Sequence, residues 1–310
     1  MEPTNIKVYA LILNYNTAEE SIKLYNNLAD FSFYFLKILI IDNASNNNDI
    51  NRLKEHIPED QLILNNSNLG YAGGNNVGLD IALKNNADYV WLLNPDIRVD
   101  VHALPLLIET FEENDMLAAV GPRIIRRENR ERIFTDGDYI LMDENCSTIQ
   151  KNFNKPVAEV GREINFEVDY IDGSCVMFSA DALKKLGRLP EEYFLYFEET
   201  DWCFNARSHG WYLGVNTFAV VYNKTSKKRE NFHYYFNRNK LIFSKKYHPN
   251  YKQVRNYYIK EIFKEFINWL KHGRFRPFFK YYVKGVLAGI YRNCFVSRVL
   301  DRINFSINSR

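Results

Sequence analysis

Over the first 120 residues, short continuous apolar runs alternate with apolar residues at helical spacing. KVYALILNY (7–15) is apolar nearly throughout, the pattern of a strand covered on both faces. A helix is expected from about Thr17 to Ala29, with Leu24 and Leu28 one turn apart. KILIIDN (37–43), QLILNN (61–66), DYVWLLN (88–94) and LAAVG (117–121) read as further strands, and 74–86 as a helix. Strand and helix in alternation predict parallel pairing with helices on both faces, an α/β chain. In such sheets ligands bind beyond the carboxyl ends of the strands. That draws Asn14 to Asn16, Asp42-Asn43, Asn65 to Asn68 and Asn94 to Asp96 onto one rim. Turn chemistry accounts for any one of these polar endings. Four on the same side point to a polar ligand.

Residues 126–166 are charged and weakly periodic, and read as an irregular insertion or a hairpin. Order returns in 166–187, as two short strands and a helix from Ala180. An acidic turn, a helix over 200–209 and a strand over 211–222 follow. Beyond Asn223 the chain becomes aromatic and basic. Ile259, Ile262, Phe263, Phe266 and Leu270 share one helical face, with Lys260, Lys264 and Lys271 elsewhere. Such a helix packs on a core, lies on a membrane surface or binds nucleic acid.

Composition narrows these options. The 310 residues are 46% hydrophobic and 25% charged, enough for one large domain or a domain with an appendage. No predominantly apolar run reaches the length of a membrane span, and the N-terminus lacks a secretory pattern, so a cytoplasmic protein is expected. Cys146, Cys175, Cys203 and Cys294 are widely spaced and read as reduced thiols. The net charge of +2 hides a division: residues 224–310 carry 21 Lys or Arg against four acids, while residues 1–223 carry 19 against 34. The boundary is therefore set at 223/224. The basic region is expected to meet an anionic membrane surface. No nucleic-acid partner is expected, because no recognised motif for one occurs.

Several stretches carry chemistry on their own terms. Asp42 ends a strand, where its carboxylate suits either the imide proton of uracil or thymine or a helix N-cap. Asn14, Asn16 and Asn43 lie close enough in the pattern to add polar contacts. NLGYAGGNNVG (68–78) is glycine-rich and opens a helix, so its backbone can approach a ligand closely. It is neither the dinucleotide fingerprint nor a phosphate-binding GxxxxGK[ST] loop.

Taken in order, LILNYN, IIDNAS, NSNLGYAGGNNVGL, WLLNPDI, IDGSCVMF and YFEETDWC resemble the family 2 glycosyltransferases of GT-A fold, and most of all their rhamnosyltransferase-like branch. The resemblance covers about residues 7–247. It implies a mostly parallel central sheet flanked by helices, with a basic helical C-terminal region. It puts the nucleobase and ribose of a nucleotide-sugar donor near Asn14, Asn16, Asp42 and Asn43. Gly70, Asn75 and Asn94 join the donor site. Asn94-Pro95-Asp96 stands where the family carries a DxD-type motif, so Asp96 is implied to bind Mg2+ or Mn2+ against the pyrophosphate. In FEETDW, Glu199 falls at the general-base position, with Asp201 as the other candidate.

Two positions depart from the family. Many relatives have a His where Asn223 stands, so Asn223 becomes the second metal ligand and His233 a substitute. Asn205 replaces a frequent Arg, with Arg207 two residues on. The implied activity is an inverting, metal-dependent transfer of a sugar, rhamnose first, from a dTDP- or UDP-sugar to a bacterial surface-glycan hydroxyl. The acceptor is expected to be lipid-pyrophosphate linked, at the inner face of the plasma membrane. A catalytically silent nucleotide- or glycan-binding protein is the alternative. A sugar nucleotidyltransferase would need a basic, glycine-rich loop after the first strand, and LNYNTAEES supplies none.

Overall fold

The computed structural model describes residues 6–30, 35–225 and 230–291. The chain divides into two compact units. The first comprises Met1–Tyr139, Gln150–Phe194 and Glu198–Thr225, the second Ile140–Ile149, Leu195–Phe197 and Ser226–Arg310.

The first unit is built on one sheet. Strands β1 (Lys7–Asn14), β2 (Phe35–Asp42), β3 (Leu62–Leu64) and β4 (Tyr89–Leu93) make its parallel half, ordered β3-β2-β1-β4. Asn14 stands opposite Asp42, and Asp42 opposite Leu64, so these strands end level with one another. The other half contains β6 (Leu117–Arg126), β11 (Cys175–Ser179), β12 (Tyr212–Asn223) and β10 (Ile164–Asn165). Strand β11 runs antiparallel between β4 and β6, while β12 is parallel to β6 and β10 edges it. The short β5 (Arg98–Val99) pairs with β12, and β7 (Asn129–Thr135) folds back on β6. Among the described residues, six of the ten strands point the same way.

Side-chain alternation explains the layers. Val8, Ala10, Ile12, Ile40, Trp91 and Leu93 join one core with α1 (Ala18–Ala29), α2 (Asn47–His56) and α4 (Ala103–Glu112). Leu24 and Leu28 of α1 are wholly buried there, each worth about 1.5–3 kcal/mol of transfer free energy. Helix α3 (Gly70–Lys84) lies on the opposite face, where Gly78 meets Leu11 and Ile41. Helix α5 (Ala180–Leu186) follows β11. Trp202 of α6 (Glu198–Ser208) packs edge-on against Phe178 with ring centroids 4.6 Å apart. Arg123 of β6 and Asp136 form a bidentate ion pair at 2.7 and 2.9 Å, both buried, and Gly161 O accepts a further 2.9 Å bond from Arg123.

Several expectations need correction. Helix α3 begins at Gly70, not Gly74, because its glycines lie inside the helix where it presses on the sheet. Residues 166–187 hold one strand of the sheet instead of two. Tyr170 makes only an isolated bridge, to Asp138. Residues 126–166, expected as an irregular insertion or a hairpin, take the hairpin form: β7 returns along β6, and β8 (Asp138–Ile140) pairs with β9 (Thr148–Gln150).

The second unit contains α7 (Glu230–Tyr247), α8 (Tyr251–His272), α9 (Phe279–Ile290) and the hairpin tip. Gly285 and Gly289 let α9 run against the α7 backbone at Tyr234 and Arg238. In α8 only Val254 and Tyr258 are buried. Of the apolar face read as packing on a core, lying on a membrane or binding nucleic acid, Phe263 and Leu270 are exposed, at 64% and 65%. None of the described helices is long and apolar enough to cross a membrane. Cys146, Cys175 and Cys203 are buried free thiols, and Cys294 lies outside the described residues.

Candidate active site

The rim at the strand ends has a buried inner layer. Asn14 donates from Nδ2 to Asp42 Oδ1 (2.8 Å) and Ser45 Oγ (3.0 Å), and its Oδ1 accepts from Ser21 and Thr17. Asp42 accepts from the Ser45 N–H at 3.0 Å as well. It is not the cap of α2, a task that Asn46 performs. Asn43 donates to Asn68 Oδ1 and Gly70 O and accepts from Asn65 and the Leu69 N–H, fastening the 65–70 loop to β2. Asn14, Asp42 and Asn43 are at most 2% exposed. Their local role is to hold the loops, and Asn16 is the exposed member of the group, with φ of 55°.

Gly70 has φ of +75°, and a Cβ there would strike the Phe194 carbonyl and ring. Only glycine fits under that residue. Asn75 is buried and bonds Tyr71 O at 3.0 Å within α3. Both residues therefore have packing roles that account for their identity.

The turn after β4 is different. Asn94 O accepts from the Ile97 N–H (3.1 Å), and the Asn94 N–H donates to Ser174 O (2.9 Å). Arg98 binds the carbonyls of Pro95 (3.1 Å) and Ile97 (2.5 Å), and Arg127 that of Asp96 (3.1 Å). Both guanidiniums pair with Glu20 of α1 at 2.5 and 2.8 Å. Hydrogen bonding from Arg127, with the charges of Arg98 and Arg127, holds the Glu20 carboxyl down at about 2 despite its partial burial. The turn's backbone is thus braced through its carbonyls. No other described residue donates to the Asp96 carboxylate, and burial pushes its pKa up, with Glu20 adding to the effect.

Asn223 comes to the same place from β12. Tyr222 is opposite Arg98, and the Arg127 N–H donates to Asn223 O at 2.7 Å while its guanidinium binds Asp96 O, so Arg127 links the two residues. The Asn223 Oδ1 is buried and has no hydrogen-bond partner. An unsatisfied buried acceptor costs about 1–3 kcal/mol, a penalty that a cation would remove. A carboxylate and an amide oxygen are hard donors of the kind that Mg2+ or Mn2+ prefers. Among the described residues no three His, Cys, Asp or Glu side chains gather into a closed metal cage. His233, in the second unit, stacks on Phe278 at 5.0 Å, a packing contact.

The third wall is IDGSCV. A Cβ at Gly173 would lie 3.3 Å from Cγ and Cδ of Glu199, so that side chain rests on the glycine. Tyr71 donates its hydroxyl to Gly173 O, and Ser174, the next residue, holds Asn94. Glu199 and the Asn94–Asp96 turn are therefore neighbours on one wall. Burial pushes the Glu199 carboxyl well above the ordinary carboxylate range, and the charges of Glu198, Asp172 and Asp138 push the same way. Asp138 is itself buried, with Thr135 on Oδ1 at 2.9 Å and no partner on Oδ2. Asp201 does not share this position. It is 2% exposed and accepts from the Tyr193 hydroxyl at 2.6 Å, which fixes the start of α6.

Sequence reasoning did not single out Asp172, Asp138, Tyr71, Arg98 or Arg127. Asp172 was detectable within the quoted IDGS stretch. Tyr71 lies inside the quoted glycine-rich stretch and Arg98 directly after WLLNPDI, whereas Asp138 and Arg127 are separated from the motifs they serve and carry no local signal.

A mixed sheet with its polar rim beyond the parallel strands is also the architecture of solved glycosyltransferases. The fold matches GalNAc-T7 with UDP, GalNAc and Mn2+ (TM-score 0.63, 13% identity, 81% of this chain and 50% of that one). It also matches the mannosyltransferase PcManGT from Pyrobaculum calidifontis in complex with GDP-Man and Mn2+ (TM-score 0.56, 13% identity, 98% and 86%). The fold is the GT-A fold. The family profile "Glycosyl transferase family 2" matches residues 9–187, more than half the chain, which belongs to that family. Similar proteins include the low-salt glycan biosynthesis hexosyltransferase Agl10 of Haloferax volcanii, 28% identical over 211 residues covering 66% of this chain. Another is the dTDP-rhamnosyl transferase RfbF of Shigella flexneri, 22% identical over 207 residues, again 66% of this chain. The chain spans 62% and 65% of the lengths of these two relatives.

Proposed function

We propose that the protein is an inverting glycosyltransferase that uses a divalent cation and a nucleotide-sugar donor, with a surface-glycan hydroxyl as acceptor. The observation that carries this reading is the meeting of the Asn94–Asp96 turn, the Asp172–Ser174 loop and Glu199 on one wall of the rim. The donor sugar to test first is rhamnose on dTDP or UDP, since one similar protein is described as a dTDP-rhamnosyl transferase.

The donor's base and ribose belong beside Asn16, over the floor of Asn14, Asp42 and Asn43. Gly70 and Asn75 shape α3 beneath the pyrophosphate, and Asn94 holds the turn. Asp96 and Asn223 would hold Mg2+ or Mn2+. When bound, the cation supplies charge neutralisation for the departing nucleoside diphosphate. Glu199 removes the acceptor hydroxyl's proton. The acceptor oxygen bonds to the anomeric carbon as the carbon–oxygen bond to phosphate breaks, and the electron pair leaves with the nucleoside diphosphate. Tyr71 and Gly173 keep the Glu199 carboxylate on the wall. Its raised pKa gives it a strong affinity for that proton.

The acceptor is taken to be lipid-linked at the anionic inner face of the plasma membrane. Support comes from α8, whose exposed Phe263, Phe266, Ile267 and Leu270 lie among Lys260, Lys264 and Lys271. Anionic headgroups attract such a surface by about 1 kcal/mol per nearby Lys or Arg.

A panel of nucleotide sugars, assayed for binding and transfer with Mn2+ and with EDTA, tests the reading. One donor should bind in Mn2+ and lose at least tenfold in affinity with EDTA or Asp96→Ala, with the fold intact. Full transfer in excess EDTA would refute the metal assignment. Binding without any release of nucleoside diphosphate would identify a silent binder instead.

A further inference from the structure

The second unit contains a cavity of 340 Å3 that the transfer chemistry does not use. That volume falls within the roughly 300–1,000 Å3 of small-molecule sites. Its walls combine aromatic rings with cations. The ammonium of Lys240, a residue only 5% exposed, sits 4.9 Å from the Phe236 ring centroid. The Arg276 guanidinium lies 4.4 Å from that of Tyr282. Glu261 is the acid on the wall, and Lys264 pairs with it at 2.6 Å. Among the lining residues Lys240 and Arg276 outnumber Glu261, with Asp143 outside the lining but within range of the Lys240 charge, and this excess of cations favours an anion.

A second feature runs away from the cavity. Phe266, Trp269, Phe275, Phe279 and Tyr282 form a continuous array, with successive ring centroids 5.4, 5.3, 4.9 and 6.2 Å apart. The array ends on the cavity wall at Tyr282 and begins on the exposed face of α8, where Phe266 is 47% and Ile267 52% accessible. An apolar strip that terminates in a cationic pocket has the polarity of an amphiphile.

We infer that this cavity binds the phosphate head of a phosphorylated lipid, with the hydrocarbon chain along the Phe266–Phe279 array. Lys240 and Arg276 take the phosphate oxygens by charge-assisted hydrogen bonds. The aromatic strip covers apolar area that the tail would otherwise expose to water. The inference deepens the membrane-surface reading and rests on it for the source of the lipid. It differs in requiring one lipid molecule at one place.

Binding of monomeric dodecyl phosphate to the full chain, followed by calorimetry, is the test, with inorganic phosphate and dodecyl maltoside as comparison probes. Dodecyl phosphate should bind at least tenfold more tightly than either. Arg276→Gln, at an exposed position, should weaken it about tenfold, and Lys240→Met more, with the melting temperature recorded for each. Phe266→Ser should weaken dodecyl phosphate and leave inorganic phosphate unchanged. Equal binding of inorganic phosphate would mean a simple anion site, and equal binding of dodecyl maltoside a nonspecific apolar patch. Either result overturns the inference, as does unaltered affinity in Arg276→Gln. If Phe266→Ser changes the oligomeric state in sedimentation and leaves amphiphile binding untouched, the face belongs to a second copy and the inference falls. Vesicle binding is scored separately, so loss of the membrane reading is distinguishable from loss of this site.

Discussion

Replacing Glu199 with glutamine preserves the contact with Gly173 and removes the only function that needs a titrating group. Transfer should fall by about 10²–10⁴-fold, the usual worth of a positioned base, or roughly 2.7–5.4 kcal/mol in the barrier. Donor affinity should stay the same, because the proposed donor contacts are made by other residues. The pH dependence gives a second, independent readout. Glu199 is held above its ordinary pKa by burial and by Glu198, Asp172 and Asp138. A base must be ionised, so kcat/KM should rise with pH through that elevated value. Asp172→Asn removes one like charge and should move the rise to lower pH. The stability sign follows from linkage. A carboxyl whose folded pKa is raised stabilises fully below its unfolded value near 4.5, and that contribution is lost as pH rises through the folded value. The unaltered protein should therefore lose stability, as pH rises from near 4.5 through the raised folded value, by a component that Glu199→Gln lacks. Asp201→Asn gives the contrast. It weakens the Tyr193 bond, costs about 1–3 kcal/mol of stability, and leaves the pH profile in place. Steady-state transfer, donor titration and chemical denaturation at several pH values measure all of this. If Asp201→Asn abolishes transfer while Glu199→Gln remains near the unaltered rate, the wrong carboxylate has been chosen.

Two other perturbations probe the rest of the chain. Asp136→Ala leaves Arg123 buried without its partner and should destabilise by about 3–5 kcal/mol in urea unfolding; a cost under 1 kcal/mol would show that Gly161 and water suffice. Binding to anionic vesicles should be strong at low salt and fall steeply toward physiological ionic strength, and equal affinity for neutral vesicles would remove the electrostatic part of the membrane reading.

What could be read from the sequence was set by burial. Strands β1, β2 and β4 are covered on both faces, so their apolar runs and polar endings mark the rim directly. Helix α2 went unseen because Leu53 is its only buried residue. In α4, Pro105 interrupts the helical pattern in sequence. In the structure it lies in the first turn, where no intrahelical N–H bond is needed. The site divides in the same way. Asp96 and Glu199 stand on motifs that announce themselves. The orphaned oxygen of Asn223 depends on how β12 registers against β5. The bracing of the turn by Arg98, Arg127 and Glu20 depends on three segments far apart in the chain, which no local pattern can reveal.

The division of the rim into a buried amide layer and an accessible one bears on how mutational scans of this protein are to be interpreted. Alanine at Asn14 or Asn43 strands several hydrogen-bonding groups in the interior, so activity disappears along with the local backbone. In an activity-only screen such positions are indistinguishable from reacting groups. Asn16 lies outside this layer, exposed and tied to its neighbour Asn46. Its left-handed φ of 55° and the two bonds that its Oδ1 accepts from Asn46 limit what can replace it, with Asp and Gly the residues its backbone admits most easily. If the proposed donor site holds, variation aimed at donor choice belongs at Asn16 within those limits, and the amides beneath it are better kept fixed as framework.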